Sequence, residues 1–239
     1  MEFLNKKSNL EVDLFLNRLK GKSIPNHSKL PIDEDVCKQG LLCAFETVVE
    51  RGFHQYISNG QQQEQLGAVA HWLTSHEKKW GVLLNGIPGN GKTTTLFAIR
   101  KVVDALNLED PNPISEDKVL GFWIKTAKEL CEVAVKDKKA FEQYKRAALL
   151  GIDELGLEPT VVSSYGNDYT PIIDLLAYRY ESRLATIMTT NIRNADIRPK
   201  YGDRIADRLN EMCDIIVMPD IDFRNNPLKD IKFLDKIKQ

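Results

Sequence analysis

Residues 81–95 read GVLLNGIPGNGKTTT, an apolar run that changes into a glycine-rich loop and ends in a lysine and threonines. The run GVLLN is short enough for a buried strand, and TTLFAIRKVVDAL (94–106) is typical of a helix. Between them, GIPGNGKT (86–93) fits the pattern GxxxxGK followed by Ser or Thr, in the strand, loop and helix context that this pattern requires. The stretch therefore predicts a phosphate-binding loop that holds a nucleoside triphosphate.

The chemistry of this loop follows from its residue types. Glycines at 86, 89 and 91 let the chain wrap closely around an anion, so that backbone N–H groups and the positive end of the next helix face phosphate oxygens. Lys92 can reach the β- and γ-phosphates, and the hydroxyl of Thr93 can join the coordination shell of Mg²⁺. The residues expected to surround the nucleotide are Gly86, Ile87, Pro88, Gly89, Asn90, Gly91, Lys92, Thr93 and Thr94.

Two further motifs follow apolar runs later in the chain. LLGIDELG (149–156) places Asp153 and Glu154 behind a strand, where Asp153 is expected to hold Mg²⁺, directly or through water, and Glu154 to polarise an attacking water. TIMTTN (186–191) places Asn191 at the tip of a buried strand, where its amide can hydrogen-bond the γ-phosphate or the lytic water. A strand-ending turn is the plain alternative for Asn191.

Strand-like runs alternate with helical segments along the chain. The runs are GVLLN (81–85), VLGFWI (119–124), AALLGI (147–152), LATIMTT (184–190) and DIIVM (214–218). This alternation predicts an α/β fold in which a parallel five-stranded sheet is flanked by helices on both faces. Before the sheet, helices are predicted at Glu11–Lys20, Asp33–Arg51 and 61–77. The expected division is a helical N-terminal extension over 1–60 that is a candidate partner-binding region, a core over 61–228 and a C-terminal tail over 229–239.

The composition excludes several classes of protein. The 239 residues are 42% hydrophobic and 28% charged, and no run approaches the roughly 18 uncharged apolar residues of a membrane span. The charged N-terminus lacks the apolar segment of a secretory signal, which favours a cytoplasmic protein. With a net charge of -1, any contact with nucleic acid depends on a local patch, and KDKKAFEQYKR (136–146) is the candidate. Its plain alternative is the solvated face of a helix.

The cysteines do not form a recognisable motif. None of the 4 cysteines belongs to a CxxC pair, so reduced thiols are expected. The one arrangement that resembles a metal site consists of His27, Cys37, Cys43 and His54. The gaps between these residues match no standard zinc spacing, so we expect them to be buried or incidental residues rather than zinc ligands.

The order and spacing of these motifs resemble the AAA+ ATPases, and within them the branch that contains DnaC-type helicase loaders and IstB-type transposition helper ATPases. The similar segments, between about Phe53 and Arg224, are GIPGNGKT, FWIKTAKEL, LLGIDELG, LAYRYESRLATIMTTN and DRIADRLNEMCDIIVMPDIDFR. The resemblance implies that Asn191 is the sensor 1 residue and that Arg208 is the arginine finger, with Arg204 as the alternative finger. It also implies that Arg224 acts like a sensor 2 residue. A surface salt bridge is the plain alternative for Arg204 and Arg208. After Arg224 no helical lid domain is expected, and the loader branch also lacks one.

This resemblance implies an ATPase with ATP and Mg²⁺ as cofactors, which works as an ATP-bound homo-oligomer on a replicative helicase and single-stranded DNA, away from membranes. A transposition helper that acts with a transposase shares all of these motifs, and the motifs do not separate the two. A small-molecule or nucleoside kinase is a rival from another class, but the Asp153 and Glu154 pair suits water as the acceptor better. Glu154 also argues against a nucleotide-gated binding module that hardly turns over.

Overall fold

The computed structural model describes residues 29–52, 56, 58–76, 79–110, 113, 118–164 and 166–223. The helices are α1 (Glu34–Arg51), α2 (Gly60–Thr74), α3 (Lys92–Leu106), α4 (Ala127–Lys136), α5 (Lys138–Arg146), α6 (Pro171–Glu181), α7 (Asn194–Tyr201) and α8 (Asp203–Met212). The strands are β1 (Gly81–Asn85), β2 (Phe122–Thr126), β3 (Leu149–Leu155), β4 (Val162–Ser164), β5 (Asn167–Tyr169), β6 (Ala185–Thr190) and β7 (Cys213–Val217). The helix predicted over Glu11–Lys20 lies outside the described residues. Among the helices of the described ranges, none has the length and apolar character needed to cross a membrane.

One parallel sheet of five strands forms the centre of the fold, in the order β2-β3-β6-β1-β7. β1 pairs with β6 on one side and with β7 on the other, so that Leu83 lies opposite both Met188 and Ile215. β4 and β5 form a separate antiparallel hairpin. The predicted α/β fold with a five-stranded parallel sheet is confirmed. Because its strands run in the same direction, their C-terminal ends meet at one edge, where ligands of open α/β sheets bind.

Apolar side chains alternate along the strands and build a core on each face of the sheet. Val82 and Leu84 of β1 belong to the core formed with α1, α2 and α3. Leu83, between them, belongs to the opposite core, which contains buried residues of α4, α6 and α8. Ile187 and Met188 of β6 divide between the two cores in the same way. Burial on both faces explains why these strands read as nearly continuous apolar runs.

Helix α1 is part of the same core as the sheet, although its pattern alone assigned it to an N-terminal extension. Cys37, Leu41 and Phe45 of α1 are buried in the core that contains β1. The ring of Phe45 lies against Gly91 of the glycine-rich loop, where an added Cβ would be 3.1 Å from the ring. α1 therefore supports this loop from behind, and the division of the chain at residue 60 stays a prediction.

Some elements begin or end at other residues than the patterns predict. α2 ends at Thr74 rather than at residue 77, and β2 begins at Phe122 rather than at 119. The basic segment 136–146 is divided between α4 and α5 by Asp137, whose carboxylate accepts a hydrogen bond from the N–H of Ala140 at 2.9 Å. A side-chain acceptor at this position starts a new helix, so the basic residues do not share one continuous helix face.

Candidate nucleotide-binding site

The glycine-rich loop lies between β1 and α3, at the C-terminal edge of the sheet. Gly89 and Gly91 have φ angles of 84° and 91°, which glycine adopts without the steric cost that a side chain imposes. Gly91 is also the N-cap of α3, and within the described structure no side chain caps that end of the helix. The first-turn N–H groups of α3 therefore lack a side-chain acceptor, an arrangement suited to binding an anion.

Lys92 is held against the loop by oxygen atoms. Only 7% of the residue is exposed, and its Nζ donates to the carbonyls of Gly86 (2.7 Å) and Ile87 (2.7 Å) and to Oδ1 of Asn90 (2.9 Å). Phosphate oxygens carry more negative charge than carbonyl oxygens and accept stronger hydrogen bonds from an ammonium group. Lys92 is therefore placed to exchange loop carbonyls for a phosphate.

The loop meets the acidic strand through Thr93. Its Oγ1 lies 3.1 Å and 2.9 Å from the two carboxylate oxygens of Asp153, and Oγ1 of Thr189 donates to Oδ1 of the same carboxylate at 2.5 Å. Asp153 is buried. Hydroxyl and carboxylate oxygens are the ligands that Mg²⁺ prefers, so this donor set fits the predicted Mg²⁺ site at Thr93 and Asp153.

Glu154 lies in a bulge of β3, whereas the sequence pattern ended this strand at Ile152. The register of β3 against β6 shifts between Ile152 and Leu155, and φ of Glu154 is 57°. Its N–H donates to Oγ1 of Thr189 at 2.9 Å, so one threonine holds both members of the acidic pair. Bulges beside active sites re-aim a side chain, and here the Glu154 side chain is exposed at the edge that carries the loop.

Asn191 follows β6, the strand that lies between the acidic strand and β1. The carbonyl of Thr190 accepts a hydrogen bond from the N–H of Gly86 (3.3 Å), and Oγ1 of Thr190 donates to the carbonyl of Leu155 (2.6 Å). The residue before Asn191 therefore contacts both the loop and the acidic strand. Oδ1 of Asn191 is buried and has no hydrogen-bond partner among the described residues.

The two candidate finger arginines lie away from the loop of their own chain. α8 ends where β7 begins, so the second half of this helix, with Arg208, lies toward the N-terminal edge of the sheet, whereas the glycine-rich loop lies at the C-terminal edge. Arg208 donates to Oε1 of Glu181 at 2.7 Å and stacks over the ring of Tyr180 at 4.8 Å. Arg204 lies 3.7 Å from the same oxygen. The Arg208 side chain is 14% exposed and the Arg204 side chain 77%, so Arg204 is the more accessible to a neighbouring molecule.

The chain after β7 runs back along the loop. Nδ2 of Asn90 donates to the carbonyl of Pro219 at 3.1 Å, and the N–H of Phe223 donates to the carbonyl of Gly89 at 3.0 Å. A Cβ added to Gly89 would lie 1.9 Å from Oδ1 of Asp222, whose side chain would have to move, and the φ of 84° favours glycine here. Arg224, which resembles a sensor 2 residue, lies outside the described residues.

Three buried polar residues near the site or its supporting helices were not predicted from the sequence. Thr189 was visible only as a polar residue in an otherwise apolar run. Glu158 and Arg179 stand in LGLEPT and LAYRYESR, where the sequence patterns singled out neither residue, and both are buried. Burial lowers the pKa of Arg179 to about 9, which still leaves the guanidinium group protonated at neutral pH.

The basic segment 136–146 carries lysines that stack on tyrosines. Lys138 lies over the ring of Tyr169 at 5.4 Å, and Lys145 lies over Tyr178 at 5.0 Å. Acidic residues of the same helices neutralise part of the positive charge. The ion pairs are Lys136 with Glu132, Lys145 with Glu142, and Arg146 with Glu142.

The histidine and cysteine set of the N-terminal region does not form a metal site in the part of the chain that the structure covers. Among the described residues, no group of three or more His, Cys, Asp or Glu side chains is arranged to hold a metal. Cys37 is buried and Cys43 is exposed. His27 and His54 lie outside the described residues.

No family model matches the chain, and no curated protein matches it. Among solved structures, the DnaC helicase loader is similar with a TM-score of 0.51 and 20% identity, over 76% of this chain and 99% of that chain. DnaI is similar with a TM-score of 0.51 and 19% identity, over 69% of this chain and 88% of the DnaI chain. AMPPCP-bound DnaA from Aquifex aeolicus is similar with a TM-score of 0.50 and 14% identity, over 77% of this chain and 53% of the DnaA chain. The chain therefore has the α/β fold of the AAA+ type that these solved structures share.

Proposed function

We propose that this protein binds ATP together with Mg²⁺ and hydrolyses the ATP. The observation that carries the proposal is the contact between Thr93 and the carboxylate of Asp153, at 2.9 and 3.1 Å. It joins the phosphate loop to the acidic strand at the sheet edge where Glu154 is exposed and Asn191 follows β6. The similarity of the fold to AMPPCP-bound DnaA supports a nucleotide as the ligand.

In this proposal each residue has one task. Lys92 leaves its carbonyl partners and binds the β- and γ-phosphates, while the loop N–H groups bind the remaining phosphate oxygens. Mg²⁺, held by Thr93 and Asp153, neutralises phosphate charge when it is bound. Glu154 accepts a proton from the attacking water. The Asn191 amide orients that water or contacts the γ-phosphate.

Glu154→Gln tests hydrolysis separately from binding. The substitution keeps the size of the side chain but removes the group that accepts the proton, so we expect hydrolysis to slow by roughly 10²-fold or more. Nucleotide affinity, measured by calorimetry, should stay unchanged. Glu132→Gln on α4, where the side chain is exposed and paired with Lys136, is the matched control and should turn over at the wild-type rate. Turnover that persists in Glu154→Gln would place the catalytic base elsewhere.

We further propose that the protein acts as a helicase loader of the DnaC type. This finer proposal is supported by a fold similarity that spans nearly the whole DnaC chain. In it, ATP joins adjacent copies of the chain, because an arginine of α8 that is remote from its own loop can reach the loop of a neighbour. Arg208 would have to leave Glu181 to do so, whereas Arg204 is already exposed.

Capture from the native cell extract, with the full chain as bait, tests the partner. A loader should retain the replicative helicase in the presence of ATP and lose it when the bait carries Lys92→Ala. Capture of a transposase in place of the helicase would contradict the loader proposal and favour a transposition helper.

Single-stranded DNA is the second proposed partner. Because the net charge is -1 and part of the charge of 136–146 is already paired, we expect assembly of several chains to create the basic surface. Binding should then be tighter with ATP than with ADP and should weaken as salt rises. Fluorescence anisotropy of a labelled oligonucleotide measures both effects, and equal affinity in both nucleotide states at all salt concentrations would refute the proposal.

A further inference from the structure

Glu158, in the loop that follows β3, has a fully buried carboxylate with a partner on each oxygen. Oε2 accepts a hydrogen bond from the N–H of Gly156 at 2.8 Å, and Oε1 accepts one from the hydroxyl of Tyr201 at 2.6 Å. Nζ of Lys200 donates to the Glu158 carbonyl at 2.7 Å and lies 3.9 Å from Oε1. One carboxylate therefore joins the turn after the acidic pair to the end of α7.

The turn that Glu158 holds is the turn that begins at Glu154. The Glu154 carbonyl accepts a hydrogen bond from the N–H of Leu157 at 3.2 Å, and Gly156 inside the turn has a φ of 108°. A Cβ on Gly156 would lie 2.7 Å from Ile192, the residue after Asn191, so the turn is packed against that loop. Glu154 itself has a φ of 57°, a conformation that non-glycine residues keep only where their surroundings enforce it. The bond from Gly156 to Glu158 is part of that enforcement.

The other end of the connection leads to the helix of the candidate finger arginines. Tyr201 is the last residue of α7, and Gly202, with a φ of 81°, joins α7 directly to α8. Arg198 of α7 forms ion pairs of 2.6 Å with both Asp203 and Asp207 of α8, so the two helices are held together. Burial and the hydrogen bond to Glu158 raise the pKa of Tyr201, so that its hydroxyl remains a donor.

We infer that Glu158 is a positioning residue for hydrolysis, which holds Glu154 in the orientation that acts on water and ties it to α7 and α8. The carboxylate is buried, so it acts through the turn rather than on the nucleotide. The inference rests on the proposed ATP hydrolysis. It explains why a buried carboxylate stands in a loop where an apolar residue would cost less to bury.

The inference predicts that Glu158 affects turnover but not binding. Glu158→Ala should lower kcat by about 10- to 100-fold, the range seen when a hydrogen-bond partner that orients a metal ligand is lost, with unchanged affinity for ATP in calorimetry. Glu158→Gln keeps an oxygen for the Gly156 N–H and a polar group for Tyr201, so it should retain most of the activity. Tyr201→Phe removes one of the two bonds and should be intermediate. The exposed Glu132→Ala is the control and should match the wild type.

A double-mutant cycle separates positioning from general support of the fold. If Glu158 acts through Glu154, then Glu158→Ala should not lower kcat further in the Glu154→Gln background, because the group that Glu158 positions has already been removed. The effects of the two substitutions on kcat are then not additive. Additive effects would overturn the inference, as would wild-type kcat in Glu158→Ala or a parallel loss of ATP affinity. If Glu158→Ala does not fold, Tyr201→Phe decides, and unchanged kcat in that variant overturns the inference. A wild-type chain that does not hydrolyse ATP refutes the proposed function itself, and that result is known before any Glu158 variant is assayed.

Discussion

Arg179→Met removes a buried guanidinium group that joins three elements of the fold. Arg179 has no exposed surface. It donates to Oγ1 of Thr186 (2.8 Å) and to the carbonyls of Ala147 (2.8 Å) and Ala185 (2.6 Å), all in buried surroundings. Two longer bonds reach carbonyls at the C-terminal end of α5, where the negative end of the helix dipole favours a cation. Arg179 therefore fixes the end of α5 to the start of β6.

The size of the effect follows from two opposing terms. A hydrogen bond from a charged donor contributes about 1.5–3 kcal/mol, and its loss leaves a buried carbonyl without a partner. Methionine is shorter than arginine but similar in volume, so the cavity is small, and the variant no longer buries an ion, which offsets the loss by several kcal/mol. Because three bonds of this kind are fully buried, we expect a net loss of about 3 kcal/mol in the free energy of unfolding.

Equilibrium unfolding in urea, followed by circular dichroism and extrapolated linearly to water, measures this loss. Arg146→Met is the matched control, because Arg146 is a 60% exposed side chain that forms one surface ion pair with Glu142. Its loss should change the free energy of unfolding by no more than about 0.5 kcal/mol. If Arg179→Met is as stable as Arg146→Met, the hydrogen bonds of the guanidinium only offset the cost of its burial, and Arg179 does not stabilise the fold.

Other predictions concern binding, assembly and thiol chemistry. Lys92→Ala should abolish ATP binding in calorimetry, because backbone N–H groups cannot replace a charge over the β- and γ-phosphates. An ATP affinity near that of the wild type would refute the proposal that residues 86–93 bind the phosphates. Arg208→Ala should bind ATP yet hydrolyse it poorly. Mixing this variant with Lys92→Ala should partly restore ATP hydrolysis, because a mixed interface can combine the intact loop of one chain with the intact arginine of the other. If Arg204→Ala is inactive while Arg208→Ala is fully active, Arg204 is the arginine finger. Full activity of both arginine variants would exclude a mechanism in which one chain supplies an arginine to the ATP site of its neighbour. A thiol reagent at pH 8 should modify Cys43 alone in the native protein and all 4 cysteines in denaturant, because the others are buried and burial raises the pKa of Cys131 to about 11. Rapid native reaction of a second thiol would contradict the described packing.

The sheet was predictable because its three central strands, β1, β3 and β6, are buried on both faces. GVLLN and LATIMTT, for example, are apolar runs bounded by glycine or polar residues, and the strands formed within a few residues of these limits. The place of α1 was not predictable. A helical pattern shows which face of a helix is apolar, but it does not show which core that face enters, and the contact of Phe45 with Gly91 depends on a loop far along the chain.

The parts of the site that follow a local motif were also predictable, and the parts that depend on distant contacts were not. The sequence places Asp153 after an apolar run, but the bulge at Glu154 depends on Thr189, a residue of another strand. Glu158 reads as an ordinary loop residue, and its burial depends on Tyr201, 43 positions away. The propensities of neighbouring residues contain no information about either contact.

The position of β6 between β1 and β3 determines when during synthesis the site can exist. A ribosome that has released the first 184 residues has already delivered GIPGNGKT and the acidic pair. In the finished sheet, however, β1 and β3 each pair with β6 and not with each other. Until β6 is inserted, the two strands that carry the loop and the acids lack the neighbour that sets their spacing of two strand separations, about 10 Å. A nascent chain can thus contain the glycine-rich loop and both acids before it can bring them together.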